Sequence, residues 1–235
     1  QSEMSSNSPN SSPSKSTLDA NLLNFPPRRE RFFVAMVPLQ EAVEACQRLA
    51  VSPDTDGQVL SSFVLTETDH WGNNYEKLVF LTERSVVLSK FDFVTRRHRH
   101  SRRLLFSDLT KVALGDLTLP ARSLAPMRCH GALRLFWGEP SRVGVGQTWN
   151  PFSSVAIPYT TLAHHPLHYC EPEAKNPVYD LDCFASSLIG TLADRVPQVQ
   201  VVSEPLPLNL YHGISSTVFN QSWLGYSKDR NGASF

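Results

Sequence analysis

Residues 78–88 of the chain read LVFLTERSVVL. Two apolar runs, residues 78–81 and 86–88, stand on either side of the polar residues Glu83 and Arg84. Short apolar runs rich in branched side chains, separated by a tight turn, are typical of two buried strands joined as a hairpin. This stretch therefore predicts the centre of a β-rich fold.

Short apolar runs continue on both sides of this hairpin and predict further strands. They comprise residues 63–65, 104–106, 112–114, 133–137 and 199–202. Because most of these runs follow one another at hairpin spacing, they predict an antiparallel meander that curls into a small barrel or sandwich. Residues 138–177 are rich in Gly, Pro, His and aromatic residues, and we predict that they are irregular.

Two helices are predicted, one before the first strand and one after the irregular stretch. The first runs to Ala50 with Pro38 in its first turn, where a missing N–H is tolerated. Its apolar stripe is formed by Leu39, Val43, Cys46 and Leu49. The second covers residues 179–196 and ends before Pro197, because proline cannot continue a helix. Its buried face is formed by Leu181, Phe184, Leu188 and Leu192.

These elements predict an α+β fold in which a curled antiparallel β-barrel is capped by a C-terminal helix, with an extra N-terminal helix. Residues 1–30 are rich in Ser, Asn and Pro. We expect a disordered tail there, because such a segment buries too little apolar area to offset its ordering entropy. Residues 31–200 are predicted to form the domain, and residues 201–235 an extension that packs on the domain or on a partner.

Composition restricts the classes of function. The chain has 235 residues and a formal net charge of +0. A general nucleic-acid binder needs surplus Lys and Arg to displace counterions from phosphates, so we expect no nucleic-acid partner. The four cysteines are scattered without a CxxC pair, which favours free thiols in the reducing cytoplasm. The polar N-terminal segment has no signal-peptide pattern, and no apolar run is long enough to span a bilayer.

The sequence contains no complete catalytic set. A Cys-based phosphatase loop needs the spacing Cys-x5-Arg, whereas Arg134 comes one position too early after Cys129 and lies in a predicted strand. The Gly-x-Ser-x-Gly elbow of the α/β-hydrolases is also missing. We therefore predict no catalytic residues, no cofactor and a protein that is not an enzyme.

A histidine cluster in the irregular stretch offers metal-ligand atoms. It consists of His164, His165, His168 and Cys170. Zinc needs ligands that converge, usually with help from elsewhere in the fold, and Pro166 divides this group. A second ligand pair is not evident in the sequence. We therefore predict that the histidines anchor a loop and that the chain holds no metal.

Residues 96–103, RRHRHSRR, form the clearest electrostatic feature. Their arginines are Arg96, Arg97, Arg99, Arg102 and Arg103. We predict a loop between two strands that binds anionic phospholipid, since each basic residue near a membrane surface contributes about 1 kcal/mol. An acidic protein or RNA is an alternative ligand. A solvated hairpin tip whose charge prevents edge aggregation is a further alternative.

Three aromatic-rich motifs carry a resemblance to a known family. They are LTETDHW at residues 65–71, WNPFSS at residues 149–154 and LGYS at residues 224–227. Together they resemble the tumour protein p63-regulated gene family, to which the presynaptic protein Mover belongs. The resemblance extends over residues 31–235.

The resemblance implies a pleckstrin-homology-like domain shared with a Sac-type inositol phosphatase, where it lies outside the catalytic domain. It also implies a non-enzymatic adaptor that forms a homodimer and binds a protein scaffold. Such an adaptor is cytoplasmic, attaches peripherally to synaptic or other vesicle membranes and modulates presynaptic release. The alternatives are a phosphoinositide-binding module that uses the arginine-rich segment, a structural component of a larger assembly, and a phosphoinositide phosphatase.

Two sets of motif residues are candidates for a role in binding. The first set is Asp69, His70, Trp71, Trp149, Asn150, Pro151, Pro158 and Tyr159. Asp69 suits a turn and Trp71 offers a large anchor, which favours structural roles over ligand contacts. The second set, in the C-terminal tail, is Leu224, Gly225, Tyr226, Arg230 and Phe235. We expect the tail to bind a partner; the alternatives are that it packs on its own domain or completes a dimer.

Overall fold

The computed structural model of the chain describes residues 38–69, 74–93, 95–118, 131–138, 157–169 and 176–208. Within these ranges the chain forms nine β-strands and three α-helices. The helices are α1 (Leu39–Ala50), α2 (Pro53–Asp56) and α3 (Leu181–Arg195). The strands are β1 (Val59–Thr68), β2 (Asn74–Thr82), β3 (Ser85–Asp92), β4 (Arg97–Leu105), β5 (Lys111–Thr118), β6 (Gly131–Phe136), β7 (Tyr159–Ala163), β8 (Gln200–Ser203) and β9 (Leu206–Pro207). Two short 3-10 helices, Pro166–Tyr169 and Pro177–Tyr179, precede α3.

The nine strands form one sheet in the order β4-β3-β2-β1-β7-β6-β5-β8, with β9 also pairing with β5. Strands β1 to β4 make one antiparallel meander, and β5 to β7 make a second. The two meanders meet where the end of β1 pairs antiparallel with β7. Strands β8 and β9 run parallel to β5. The α+β class is therefore confirmed, with a large sheet and few helices.

Apolar side chains cover both faces of the first meander. On β1, Phe63 and Leu65 belong to one hydrophobic cluster, whereas Val64 belongs to another. Successive side chains on a strand point to opposite faces, so β1 contributes to both clusters. Burial on both faces explains why residues 78–81 and 86–88 are continuous apolar runs instead of alternating ones.

Helix α3 covers one face of the sheet with the side chains that its periodicity predicts. They are Leu181, Phe184, Leu188 and Leu192, and all four are buried. The ring of Phe184 meets that of Phe63 edge-on, with centroids 5.4 Å apart. The helix begins after Asp180, whose side chain accepts the N–H of Asp182 as an N-cap, and it ends at Arg195 before Pro197.

Helix α1 covers the opposite face, where it packs on β2 and β3. Its buried residues, Ala42, Cys46 and Ala50, are four positions apart and join the cluster that contains Phe80. The predicted stripe is wrong at Leu49, which is 68% exposed. The buried positions of α1 repeat every four residues. Leu49 lies three positions after Cys46, so its side chain points to the side of the helix that faces solvent.

The predicted closed barrel is wrong, because the described sheet is open. In this sheet β4 lies at one end, paired with β3, and β8 lies at the other. The edge of β5 that a closing strand would need is already occupied by β8 and β9. Strand β4 is exposed along residues 99–103, and a charged edge of this kind opposes further strand pairing.

Strand β7 lies in the region that the sequence predicts to be irregular. Its sequence YTTLA contains no apolar run, yet Thr160 is 3% and Thr161 is 0% exposed. Both hydroxyls find partners on other strands: Thr160 donates to Glu67, and Thr161 accepts from Arg134. Long-range hydrogen bonds therefore stabilise a strand that local hydropathy does not indicate.

The described part of the predicted C-terminal extension, residues 201–208, contributes to β8 and β9 of the sheet. The predicted tail, residues 1–30, lies outside the described residues, as do residues 209–235. Among the described helices, none is long and apolar enough to cross a membrane.

Replacing Phe184 by Ala should lower the free energy of unfolding by about 3–5 kcal/mol, because it removes a fully buried ring from the centre of the cluster under α3. Replacing the exposed Leu49 by Ala should change it by no more than about 0.5 kcal/mol. Urea unfolding followed by circular dichroism measures both values. Similar losses in the two variants would contradict this assignment of the core.

Candidate functional site

The arginine-rich segment is a strand, and the prediction of a loop is wrong. Residues 97–105 form β4 and pair antiparallel with β3, with a register shift between Lys90 and Phe91. Arg96 precedes the strand with a φ of 52°, a value that few residues other than glycine adopt. Because a strand sends successive side chains to opposite faces, β4 divides the four arginines that it contains between two faces instead of gathering them.

Arg103 is partly exposed, but its guanidinium pairs with a buried carboxylate. Its Nε and Nη2 atoms lie 2.6 Å and 2.9 Å from the two carboxylate oxygens of Asp56, which is fully buried. The hydroxyl of Ser85 and the N–H of Ser52 also donate to this carboxylate, at 2.6 Å and 2.7 Å. Arg103 in addition donates to the carbonyl of Ala50, the last residue of α1. The pair therefore fixes α1 and α2 to the edge of the sheet.

Arg99 and Arg102 are half-exposed and each contacts a carboxylate. Arg99 Nε donates to Asp92 at 3.1 Å. Arg102 Nη1 lies 3.4 Å from Glu67 Oε1, and its guanidinium carbon lies 5.7 Å from the centroid of the Trp137 ring. These two arginines keep part of their charge accessible, although each is already partly neutralised by its partner.

Arg96 and Arg97 lie at the turn that precedes β4 and at its first position, and both are exposed. Within the part of the chain that the structure describes, neither side chain forms an ion pair or a hydrogen bond. Their charges are therefore the most available of the five predicted arginines.

A pocket of about 430 Å³ opens beside these arginines, between β1 to β4 and β7. Its volume lies within the usual range for sites that bind small ligands. The charged side chains that line it are Glu67, Asp69, Lys77, Lys90 and Arg102. Three positive charges against two negative ones leave the pocket with a surplus of positive charge.

A buried ion pair forms the base of this pocket. Lys77 Nζ lies 3.0 Å from Glu67 Oε2, and the two side chains are 7% and 10% exposed. Thr160 donates to Glu67 Oε1 at 2.7 Å. Burial raises the pKa of Glu67, but the charge of Lys77 and the Thr160 hydrogen bond outweigh it and hold this pKa below its ordinary value. Burial lowers the pKa of Lys77, and Glu67 opposes that shift only in part.

Lys90 and His100 lie further along the wall of the pocket. Lys90 Nζ is 5.0 Å from the centroid of the Tyr75 ring. Burial, followed by the charges of Lys77 and Lys90, lowers the pKa of His100, so this imidazole is neutral at pH 7. Ammonium and guanidinium groups remain as the outer cations, and such groups suit an anionic ligand such as a phosphate.

Arg134, the arginine of the incomplete phosphatase-like spacing, is buried in β6. Its Nε donates to Thr161 at 2.9 Å, its Nη2 donates to the carbonyl of Pro207 at 3.1 Å, and its guanidinium carbon lies 4.6 Å from the centroid of the Tyr159 ring. Cys129 lies outside the described residues. The guanidinium of Arg134 is therefore engaged in holding β6, β7 and β9 together.

The structure separates the predicted histidine cluster into two parts. His165 is fully buried, with its Nε2 2.7 Å from Glu76 Oε1, and it anchors the chain after β7. His164 and His168 stack with ring centroids 4.4 Å apart beside Asp180. Asp180 was not among the predicted ligands, because nothing in its sequence spacing places it near these histidines. Cys170 lies outside the described residues.

Comparisons with known proteins agree with the predicted resemblance. The human "Tumor protein p63-regulated gene 1 protein" is 30% identical over 192 residues, which cover 77% of this chain and 69% of that protein. The chain belongs to the tumour protein p63-regulated gene family. A family model described as "hSac2: Inositol phosphatase" matches residues 32–138. A solved structure, "The hSac2 domain from human phosphoinositide phosphatase Sac2", is similar at 16% identity and a TM-score of 0.43, over 83% of this chain and 93% of that one.

Three of the residues that carry the resemblance to the p63-regulated gene family lie in the described part of the chain. Asp69 lines the pocket and accepts a hydrogen bond from the Tyr75 hydroxyl at 3.3 Å. The carbonyl of Pro158 accepts the N–H of Trp137 at 3.0 Å. Tyr159 begins β7 and packs against the Phe136 ring, with centroids 5.7 Å apart.

The remaining predicted residues lie outside the described ranges. They are His70, Trp71, Trp149, Asn150 and Pro151, together with the tail residues Leu224, Gly225, Tyr226, Arg230 and Phe235. Their roles in ligand or partner binding stay predictions.

Replacing Arg103 by Gln should lower the free energy of unfolding by about 3–5 kcal/mol, because it leaves the Asp56 carboxylate buried without its charged partner. The exposed pair of Arg99 and Asp92 offers a matched control, for which R99Q should cost no more than about 1 kcal/mol. Chemical denaturation measures both losses. A structural role for Arg103 would be refuted by equal, small values.

Asp56 should make the folded state sensitive to acid. Burial raises its pKa, but hydrogen bonds from Arg103 and Ser85 outweigh burial and hold this pKa below the ordinary value of 3.8. The stabilisation is therefore present above the unfolded-state pKa, about pH 4, and is lost as the pH falls through the lower folded-state pKa. In D56N the fall of the melting temperature with acid should be shallower below about pH 4, which thermal unfolding across a pH series measures.

Proposed function

We propose that the chain is a non-catalytic adaptor that docks on an anionic phospholipid surface through the start of β4 and the charged pocket beside it. The observation that supports this most is the exposure of Arg96 and Arg97 without an ion pair in the described part of the chain. Arg97 lies on the same strand as Arg102, which lines the pocket, and Arg96 directly precedes that strand. A membrane surface is favoured because these cations are spread along one edge of the sheet.

The strength of this contact follows from the number of available charges. Each basic residue near an anionic surface contributes about 1 kcal/mol, so Arg96 and Arg97 together contribute about 2 kcal/mol. That energy corresponds to a change of roughly 30-fold in binding. Arg99 and Arg102 contribute less, because Asp92 and Glu67 already offset part of their charge. The binding is therefore weak and reversible, as a peripheral protein requires.

The pocket adds a place for one headgroup phosphate. Lys90 and Arg102 line its wall, and Lys77 pairs with Glu67 at 3.0 Å at its base. A guanidinium and an ammonium group together can hold a phosphate by charge-assisted hydrogen bonds. Phosphorylated phosphoinositides carry phosphomonoester groups that phosphatidylserine lacks, and these bring more negative charge to the two cations, so we expect a preference for phosphoinositides.

The wider role is proposed from family membership. In this proposal the chain adopts a pleckstrin-homology-like arrangement, supported by two antiparallel meanders followed by α3. It forms a homodimer, binds a protein scaffold in the cytoplasm and attaches to synaptic or other vesicle membranes, where it modulates transmitter release. The engagement of Arg134 inside the sheet supports a role without phosphatase chemistry.

Co-sedimentation with vesicles of phosphatidylcholine, alone or with phosphatidylserine or phosphatidylinositol bisphosphate, tests the docking surface. The double variant R96Q/R97Q should bind anionic vesicles roughly 30-fold more weakly than the parent chain, with an unchanged melting temperature. R48Q/R195Q is the matched control, since it removes the same charge from two exposed arginines on α1 and α3. This control should bind like the parent chain.

Two outcomes would overturn the proposal. If R96Q/R97Q and R48Q/R195Q lose vesicle binding equally, only net charge matters. If the parent chain binds no anionic vesicles, the membrane is excluded as its partner. Binding to an acidic peptide in place of vesicles would reassign the surface to a protein partner. Light scattering on the same samples tests the homodimer, and release of phosphate from a phosphoinositide would contradict a non-catalytic role.

A further inference from the structure

Three potential metal ligands converge between the end of β7 and the start of α3. The ligand atoms of His164, His168 and Asp180 all lie within 4.8 Å of one another. His164 follows β7, His168 belongs to the 3-10 helix Pro166–Tyr169, and Asp180 is the N-cap of α3. The fold therefore assembles from three elements a ligand set that the spacing of the sequence does not show.

The two distances from the histidines to Asp180 are compatible with one small cation. His164 Nδ1 lies 3.4 Å from Asp180 Oδ1, and His168 Nδ1 lies 4.0 Å from Asp180 Oδ2. Bonds from zinc to nitrogen or oxygen are about 2.0–2.2 Å long, so two ligand atoms on one ion are separated by roughly 3.4 Å and by no more than about 4.2 Å. The separation of 4.0 Å is too long for a hydrogen bond.

His168 supplies an independent indication of a ligand. Its Nδ1 atom is buried and has no hydrogen-bond partner among the described residues. The side chain as a whole is 11% exposed. A buried ring nitrogen without a partner requires an explanation, and a bound ion provides one that also uses the neighbouring carboxylate.

His164 is oriented for the same role. Its Nδ1 accepts the N–H of Leu181 at 3.1 Å, so this nitrogen carries the lone pair and Nε2 carries the proton. Nε2 lies 4.0 Å from Asp182 Oδ2. Binding of a cation exchanges the Leu181 hydrogen bond for a coordinate bond at Nδ1, and Nε2 keeps the proton.

The charges around the three ligands favour a cation, although the positive end of the α3 dipole opposes it. The N-terminus of α3 carries roughly half a positive charge, which opposes a bound cation. Asp180 and Asp182 together bring two negative charges to the same turn. Two imidazoles beside one carboxylate favour zinc-like transition metals over calcium or magnesium, which prefer oxygen ligands.

We propose that His164, His168 and Asp180 form a binding site for one divalent transition cation of the zinc class, with water in the fourth position. The bound cation fastens the 3-10 helix after β7 to the first turn of α3. It stabilises the fold, and its binding does not depend on the lipid-docking surface.

Titration of the chelator-treated full chain with zinc and with cobalt, followed by calorimetry and visible absorption, tests the site. One ion per chain should bind, raise the melting temperature and give cobalt bands of a four-coordinate site. H168Q and D180N should each weaken zinc binding about tenfold or more. Asn also serves as an N-cap, so D180N keeps the start of α3. H98Q and D194N, a histidine and an acid elsewhere in the fold, are the matched controls and should bind zinc like the parent chain.

Three results would overturn the site: no zinc bound by the parent chain, unchanged affinity in both H168Q and D180N, or equal losses in the two control variants. Circular dichroism of each metal-free variant verifies that it folds. If H168Q does not fold, the zinc affinity of D180N compared with that of D194N decides whether the site exists.

Discussion

The two halves of the sheet are joined by three residue pairs between the end of β1 and β7: Thr66 with Ala163, Glu67 with Leu162 and Thr68 with Thr161. Each half alone is a meander of three or four strands with a face that needs covering. The short junction is strengthened by side chains, since Thr66 donates to the carbonyl of His164 at 3.2 Å and Thr160 donates to Glu67. The core under α3 depends on this junction, because it contains Leu65 from β1 and Leu162 from β7.

The same junction explains why charged groups lie in the interior. A slip by one residue would turn Glu67 to the opposite face, away from Lys77 and Thr160, and would leave the Lys77 charge buried without a partner. The ion pair of Glu67 and Lys77 therefore favours one register of the sheet. It also forms the base of the pocket, so the residues that specify the fold and those that would meet an anionic ligand are partly the same.

The sequence predicts those elements that local apolar patterns specify. Residues 78–88 indicate the hairpin of β2 and β3, because both strands are buried on both faces. Phe184 and Leu188 indicate the buried face of α3, because their spacing is helical. Strand β7 is not predicted from the sequence, because its buried threonines form hydrogen bonds with Glu67 and Arg134, which are distant in the sequence.

The candidate sites were predictable only in part, for the same reason. Charge density identifies residues 96–103, but only the register of β4 reveals that Arg103 is bound to Asp56. Likewise the histidines at 164 and 168 are conspicuous in the sequence, whereas their proximity to Asp180 depends on how α3 returns to the end of β7. Tertiary pairing decides which charges remain available.

The strand order has a consequence for biosynthesis. Strand β1 is made early, but its partner β7 follows roughly 100 residues later, a delay on the order of 5–20 s at usual rates of translation. During that interval the first meander exposes the edge of β1 and the apolar face that α3 will cover. Exposed apolar surface and an unpaired strand edge favour aggregation, so the nascent chain is most prone to aggregate before β7 and α3 have emerged.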